Sequence, residues 1–124
     1  MSKTILVVDD SLSFRTLARM ALEGAGYQVV EAENGEQALK LLDGPAFYCI
    51  LSDLNMPRMD GLTFVAHVKA HPAQKFAPIM MLTTEGAKPV MMQGKAAGVR
   101  AWMVKPFPPS SLVDAVARLG SLKS

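Results

Sequence analysis

The sequence has few of the features that mark secreted or membrane proteins. It contains one cysteine, Cys49, in 124 residues, so an internal disulfide is impossible and a reducing compartment fits best. No apolar run approaches the roughly 20 residues that a membrane-spanning helix needs. The first run, Ile5 to Val8, stops at Asp9 and so cannot be a secretory signal. These absences predict a cytoplasmic protein that does not enter a membrane.

An excess of either charge is also lacking. Thirteen Lys and Arg residues oppose eleven Asp and Glu residues, which leaves a net charge of +2, unlike the dense basic surface of most nucleic-acid-binding proteins. Half of the residues are hydrophobic and 19% are charged, a composition that argues against intrinsic disorder. We expect a monomer with a single domain over residues 1–124, no output domain and no affinity for nucleic acid.

The hydrophobic pattern predicts an α/β fold. Five short apolar runs are nearly continuous rather than alternating, which is typical of parallel strands covered on both faces. They are Thr4–Val8, Gln28–Val30, Phe47–Leu51, Ile79–Leu82 and Ala101–Val104. Segments of helical period follow them, so we expect five βα units and a doubly wound parallel sheet.

Capping residues locate the helices between these strands. Asn34 is the predicted N-cap of the second helix, with Gln37 completing a capping box and apolar residues buried as far as Leu42. Asp60 is the predicted N-cap of a third helix that buries Leu62, Val65 and Ala66. The other helices are expected to end near Gly26 and to cover Lys88–Ala97, where Gly94 costs about 1 kcal/mol, and Pro109–Leu119.

Polar residues stand where the predicted strands end. Asp9 and Asp10 follow the first strand, Asp53 the third, Thr83 the fourth and Lys105 the fifth. Ligands of doubly wound sheets bind at the carboxyl ends of the strands, so these side chains are expected to converge. Carboxylate oxygens suit Mg²⁺, and a carboxylate beside a dication and a lysine is a sensible phosphoryl acceptor.

Five sequence blocks resemble the receiver domains of two-component response regulators, most closely the CheY-like, stand-alone chemotaxis type. The resemblance covers about residues 3 to 120. It depends on Val8-Asp9-Asp10-Ser11, Asp53-Leu54-Asn55-Met56-Pro57, Met59-Asp60-Gly61, Leu82-Thr83-Thr84-Glu85 and Lys105-Pro106-Phe107. It implies a flavodoxin-like sheet with strand order 2-1-3-4-5.

The resemblance also implies roles for individual residues. Asp53 looks like the aspartate that accepts a phosphoryl group from a sensor histidine kinase. The resemblance implies that Mg²⁺ is bound by Asp9, Asp10, Asp53 and the backbone carbonyl of Asn55. Thr83 and Lys105 look like the switch hydroxyl and the lysine of the family, and the Lys105–Pro106 peptide is expected to be cis.

Further implied roles concern output. Trp102 stands at the position of the switch aromatic, usually Tyr or Phe, and Asn55 and Glu85 stand where such domains tune dephosphorylation. The implied output is binding of a protein target, such as a flagellar motor switch component, on the face of the fourth helix, fifth strand and fifth helix. Such a domain is a phosphoacceptor and not a turnover enzyme.

Other interpretations remain open at this point. Asp9 and Asp10 could cap the first helix, and Trp102 could be an ordinary core aromatic. The chain could instead be a phosphorelay intermediate, a phosphorylation-independent adaptor or a Mg²⁺-dependent phosphatase that works through an aspartyl-phosphate. The phosphatase lacks support because Asn55 stands where a second acid would protonate the leaving group.

Charge is divided unevenly along the chain. Residues 1–85 contain seven basic and ten acidic residues, a net charge of −3, whereas residues 86–124 contain six basic residues and only Asp114, a net charge of +5. The basic residues are Lys88, Lys95, Arg100, Lys105, Arg118 and Lys123. They form either a merely solvated face or a patch that attracts an acidic partner segment.

Overall fold

The computed structural model describes residues 3–84 and 88–121. Within them, five strands alternate with five helices. The strands are β1 (Thr4–Val8), β2 (Gln28–Ala32), β3 (Cys49–Asp53), β4 (Ile79–Thr83) and β5 (Ala101–Val104). The helices are α1 (Leu12–Gly24), α2 (Gly35–Leu39), α3 (Gly61–Ala70), α4 (Lys88–Ala97) and α5 (Pro109–Ser121). None of the helices in this part of the chain is both long and apolar enough to cross a bilayer.

The strands form one parallel sheet in the order β2-β1-β3-β4-β5, which confirms the predicted fold class and topology. Because the connection direction reverses between β1 and β3, a crevice opens beyond the carboxyl ends of these two strands. The register pairs Val8 with Ser52 and Asp53 with Leu82, so β1, β3 and β4 end close to one another. The polar residues that follow the strands are therefore brought to one edge.

Alternate side chains of each strand feed two cores, one on each face of the sheet. Leu6 and Val8 belong to the core that includes Phe64 and Val68 of α3, whereas Ile5 and Val7 belong to the core beneath α1 and α5. All four β1 side chains from Ile5 to Val8 are fully buried. Burial on both faces explains why this strand is apolar from Ile5 to Val8 without alternation.

Two predictions about helices are wrong in detail. In α3 the predicted Ala66 is exposed, and Phe64 and Val68 are buried beside Val65, because docking of the helix on the sheet decides which side of a largely apolar helix faces inward. Helix α2 ends at Leu39, and Leu42 reaches the core from a turn.

The predicted caps are mostly confirmed. The Asp60 carboxylate accepts from the Thr63 amide at 2.8 Å, and Asn34 Oδ1 accepts from the Gln37 amide at 2.8 Å. The reciprocal capping-box bond differs from the prediction, since Gln37 Oε1 accepts from the Glu33 amide at 2.6 Å rather than from Asn34. The change leaves the start of α2 closed by two side chains.

Gln74 makes hydrogen bonds to the loops at the amino end of the sheet, opposite the edge where the polar residues gather. Its side chain is fully buried. Oε1 accepts from the Phe47 amide at 3.0 Å, and Nε2 donates to the carbonyls of Leu42 at 3.0 Å and Pro45 at 3.1 Å. One amide side chain thus satisfies backbone groups that burial would otherwise leave unpaired.

Candidate functional site

Three acidic side chains gather at the carboxyl edge of the sheet, as their positions in the sequence predicted. Asp9 follows β1, Asp10 comes next, and Asp53 is the last residue of β3. One carboxylate oxygen from each lies within 4.8 Å of the other two. Asp9 is fully buried and Asp53 nearly so, whereas Asp10 is exposed. The cluster is therefore open to solvent on one side only.

Lys105 supplies the positive charge of this cluster. Its Nζ donates to Asp9 Oδ2 at 2.5 Å and lies 3.8 Å from Asp53 Oδ2. The same Nζ lies 4.4 Å from the centre of the Phe14 ring, a cation–π contact that covers the ammonium on its apolar side. The Lys105–Pro106 peptide is cis, as predicted, and the Lys105 amide donates to the Thr83 carbonyl at 2.7 Å.

Asp53 binds protons more tightly than an ordinary aspartate. Burial and the neighbouring charge of Asp9 raise its pKa to about 6, although Lys105 and a backbone hydrogen bond from Asn55 act in the opposite direction. Asp9 is matched by a closer cation than Asp53 is. Of these two carboxylates, Asp53 is therefore the less fully compensated.

Asp9 is held by backbone and side chain together. Its amide donates to the Ala32 carbonyl at 3.0 Å, and its Oδ1 accepts from the Ser11 amide at 2.8 Å. The N-cap of α1 is Ser11, whose hydroxyl accepts from Phe14 N, so the interpretation of Asp9 and Asp10 as helix caps is wrong.

Arg15 of α1 completes these contacts by donating from Nη1 to the Asp9 carbonyl at 2.6 Å. Sequence reasoning did not predict this residue. One indication was available, because a cation in the first turn of a helix is disfavoured by the helix dipole and suggests a specific anionic partner.

Thr83 and Trp102 lie on adjacent strands. Thr83 is buried at the end of β4 and pairs with Val104, while Trp102 pairs with Met81 two residues earlier. Side chains two residues apart point to the same face of a sheet, so Thr83 and Trp102 share a face. The partly buried indole packs against the core beneath α3. Glu85, the other residue assigned to tuning, lies outside the described residues.

Comparison with known proteins identifies the family. The model of the response regulator receiver domain matches residues 5–117. The chain belongs to the response-regulator receiver domains. The chemotaxis protein CheY1 of Helicobacter pylori is 44% identical over 112 residues, which cover 89% of this chain and 90% of CheY1. The structure of CheY4 from Vibrio cholerae matches this receiver domain with a TM-score of 0.92 at 41% identity, over 96% of this chain and 99% of CheY4.

Relatives of other kinds match as well. The transcriptional regulatory protein SrrA of Staphylococcus aureus is 38% identical over 119 residues, which are 96% of this chain but only 48% of SrrA. The receiver domain of the sensor histidine kinase PA1611 from Pseudomonas aeruginosa matches with a TM-score of 0.87 at 25% identity, over 98% of this chain and 99% of that one. The absence of an output domain stays a prediction, because receiver domains occur both alone and within longer proteins.

The acidic cluster suits a divalent metal. Three carboxylates supply hard oxygen atoms at the distances that a small dication can bridge. The PA1611 receiver domain was solved with a magnesium ion coordinated in its active-site cleft. The donor set of this chain therefore fits Mg²⁺ on its own geometry and has a structural precedent.

Proposed function

We propose that this receiver domain is a phosphorylation-controlled switch whose phosphoacceptor is Asp53. The observation that supports this most strongly is the position of the Asp53 carboxylate, within 4.8 Å of two further carboxylates and 3.8 Å from the Lys105 ammonium. A carboxylate that is nearly buried, raised in pKa and flanked by a cation is suited to chemistry rather than to stability.

In the proposed reaction, an Asp53 carboxylate oxygen attacks the phosphorus of a phosphohistidine on a sensor kinase. A P–O bond forms and the P–N bond breaks, and its electron pair remains on the imidazole nitrogen, which takes up a proton. Bound Mg²⁺, held by Asp9, Asp10, Asp53 and the Asn55 carbonyl, would neutralise negative charge on the carboxylates and phosphoryl oxygens. Lys105 and the Thr83 hydroxyl hold the transferred group.

The shared face of Thr83 and Trp102 supports the coupling of this reaction to a distant surface. Movement of Thr83 toward a phosphoryl group leaves room on the face that the indole occupies, and Trp102 follows. Coupling of this kind typically amounts to about 1–3 kcal/mol. The switch therefore acts by changing the affinity for another protein.

The surface of α4, β5 and α5 is the proposed target face. A groove of about 590 Å³ there is lined by Met91, Met92, Lys95 and Trp102, among others. Met92 is 71% exposed and Val104 48% exposed, so apolar side chains stand beside basic ones. This combination suits an amphipathic segment with acidic residues.

We further propose a role in chemotaxis, with a flagellar motor switch component as the target. CheY1 and CheY4 each match over nearly their whole length, whereas SrrA matches over half of its own. A domain of this kind acts once per phosphorylation and is not a turnover enzyme. A cytoplasmic location fits a sequence with a single cysteine, Cys49, which is fully buried in β3.

Mass spectrometry after incubation with acetyl phosphate and Mg²⁺ tests the proposal. We expect the intact chain to gain the mass of one phosphoryl group, and the Asp53→Asn variant to gain none. Asp114→Asn is the matched control, because it makes the same substitution at an exposed site on α5, and it should be modified like the wild type.

Two outcomes would contradict the proposal. A wild-type chain that never gains the phosphoryl mass cannot be a phosphoacceptor, which would leave the adaptor interpretation. Steady release of phosphate from small phosphoesters by the purified chain would instead indicate the phosphatase.

A further inference from the structure

Arg15 joins the backbone of the acidic cluster to a carboxylate on the edge strand. Its Nη1 donates to the Asp9 carbonyl at 2.6 Å and its Nε donates to Glu31 Oε1 at 3.0 Å. The side chain is only 11% exposed, and Glu31 belongs to β2. A planar guanidinium presents donors from different nitrogens in a rigid fork, whereas the donors of an ammonium all lie on one rotatable nitrogen. Arg15 thus spans α1, the end of β1 and β2.

A second arginine keeps Glu31 in place for this contact. Arg19 Nε donates to Glu31 Oε2 at 2.6 Å, and its Nη1 donates to Glu23 at 3.0 Å. The hydrogen bonds from Arg19 and from Arg15 hold the pKa of Glu31 below its ordinary value, so the carboxylate stays ionised at neutral pH. Arg19 shares the partner of Arg15 but does not donate to Asp9, whose carbonyl accepts from Arg15.

The peptide that Arg15 holds leads directly into Asp10. The carbonyl of Asp9 and the amide of Asp10 belong to one planar unit, so a hydrogen bond to that oxygen fixes the plane from which Asp10 projects. Because Asp10 is exposed, few neighbours constrain its side chain, and its direction depends on this backbone.

We propose that Arg15 is a positioning residue that aims the Asp10 carboxylate at the cation, with Glu31 as its anchor. This inference depends on the proposed function, in which Asp10 is a Mg²⁺ ligand. Partners that orient metal ligands in this way typically change metal affinity by 10- to 100-fold when they are removed.

The positive charge of Arg15 and its positioning role affect Mg²⁺ affinity in opposite directions. The direction of the change in affinity therefore tests the proposal. A positive charge beside an acidic site repels a dication, so its removal favours cation binding if charge alone matters. Loss of positioning weakens binding. The two explanations therefore predict opposite changes in Mg²⁺ affinity.

The experiment compares Arg15→Lys with Arg19→Lys by isothermal titration of Mg²⁺ into the whole chain. Both variants replace an arginine that donates to Glu31, and both keep the positive charge. They differ because Arg15 also contacts Asp9 and Arg19 does not. We expect Arg15→Lys to raise the Mg²⁺ dissociation constant about tenfold and Arg19→Lys to change it by less than about twofold.

Two further readouts separate positioning from a general loss of structure. With saturating Mg²⁺, Arg15→Lys should be phosphorylated by acetyl phosphate at nearly the wild-type rate. Arg15→Met, which also removes the charge, should still bind Mg²⁺ more weakly than the wild type. If Arg15→Lys does not fold, Glu31→Gln releases the anchor while Arg15 remains, and it should weaken Mg²⁺ binding more than Glu23→Gln, which removes the same charge from a carboxylate that accepts from Arg19.

Equal Mg²⁺ affinities of Arg15→Lys and Arg19→Lys, tighter binding by Arg15→Met, or unchanged binding by Glu31→Gln would overturn the role of Arg15. In each case the proposed function survives, provided that the wild type binds Mg²⁺ and is phosphorylated on Asp53. A wild type that does neither overturns both.

Discussion

The two ends of the sheet bury polar side chains in opposite ways. At the amino end, Gln74 is uncharged and its amide contacts the backbone groups of Phe47, Leu42 and Pro45. At the carboxyl end, Asp9 and Asp53 share one nearby ammonium, and the pKa of Asp53 is raised to about 6 by burial and by its acidic neighbour. The first arrangement is balanced, because the oxygen and the nitrogen of the Gln74 amide both have hydrogen-bond partners. The second is not, because two carboxylates face one ammonium.

This difference shows what each end contributes. A buried amide with all its partners stabilises the native chain, because its removal leaves several backbone groups unsatisfied. A buried carboxylate without full compensation costs stability and is retained where it performs chemistry. Substitution at the two ends should therefore change the free energy of unfolding with opposite signs.

The largest effect is expected for Gln74→Ala. The variant removes the side chain that accepts from the Phe47 amide and donates to the Leu42 and Pro45 carbonyls, so we expect a loss of about 3 kcal/mol in the free energy of unfolding. Chemical denaturation measures it. Gln93→Ala is the control, because Gln93 is exposed on α4 and should change stability by about 0.5 kcal/mol at most. A loss at Gln74 as small as that of the control would show that this end is not balanced as described.

The opposite sign is expected for Asp53→Asn in the presence of a chelator. The folded pKa of about 6 lies above the ordinary value of 3.8, so the ionised carboxylate destabilises the native state fully above pH 6. This penalty falls as pH decreases through 6 and is absent below 3.8. We expect the variant to be more stable than the wild type by about 2 kcal/mol at pH 8 and no more stable at pH 3.5.

Denaturant titrations of both chains across this pH range measure the difference. Asp114→Asn is the control, because it makes the same substitution at an exposed site on α5. A stability difference between Asp53→Asn and the wild type that stays constant with pH would mean that Asp53 has an ordinary affinity for protons.

The fold and the edge that contains the site were predictable because both depend on order along the chain. Apolar runs of three to five residues with a polar residue after them indicate parallel strands and their carboxyl ends, and Asp9, Asp53 and Lys105 converge for that reason alone. Contacts that depend on how a helix is rotated or on the path of a turn were not predictable. Arg15 and Gln74 came to light only in three dimensions, as did the buried side of α3.

Gly94 illustrates the same limit. From the sequence it counts as a weakness in the fourth helix, since glycine lacks helix propensity. In the structure a Cβ at this position would overlap the ring of Trp102, so the glycine lets the indole lie directly against the helix. The cost to α4 and the placement of the aromatic residue on β5 have one cause, and sequence spacing shows only the first.

The smallest expected effect on the free energy of unfolding is that of Mg²⁺ itself. It tests whether the metal acts on the carboxyl end of the sheet alone. A ligand that binds only the native state stabilises it by about 1 kcal/mol at about five times its dissociation constant. We expect this increment for the wild type and equally for Gln74→Ala, because the two sites lie at opposite ends of the sheet and should be additive. Asp53→Asn, which lacks one carboxylate of the cluster, should gain less.

Denaturation midpoints with and without MgCl₂ measure all three. An equal gain in Asp53→Asn would place the cation away from Asp53, and a smaller gain in Gln74→Ala would mean that the two ends of the sheet are coupled.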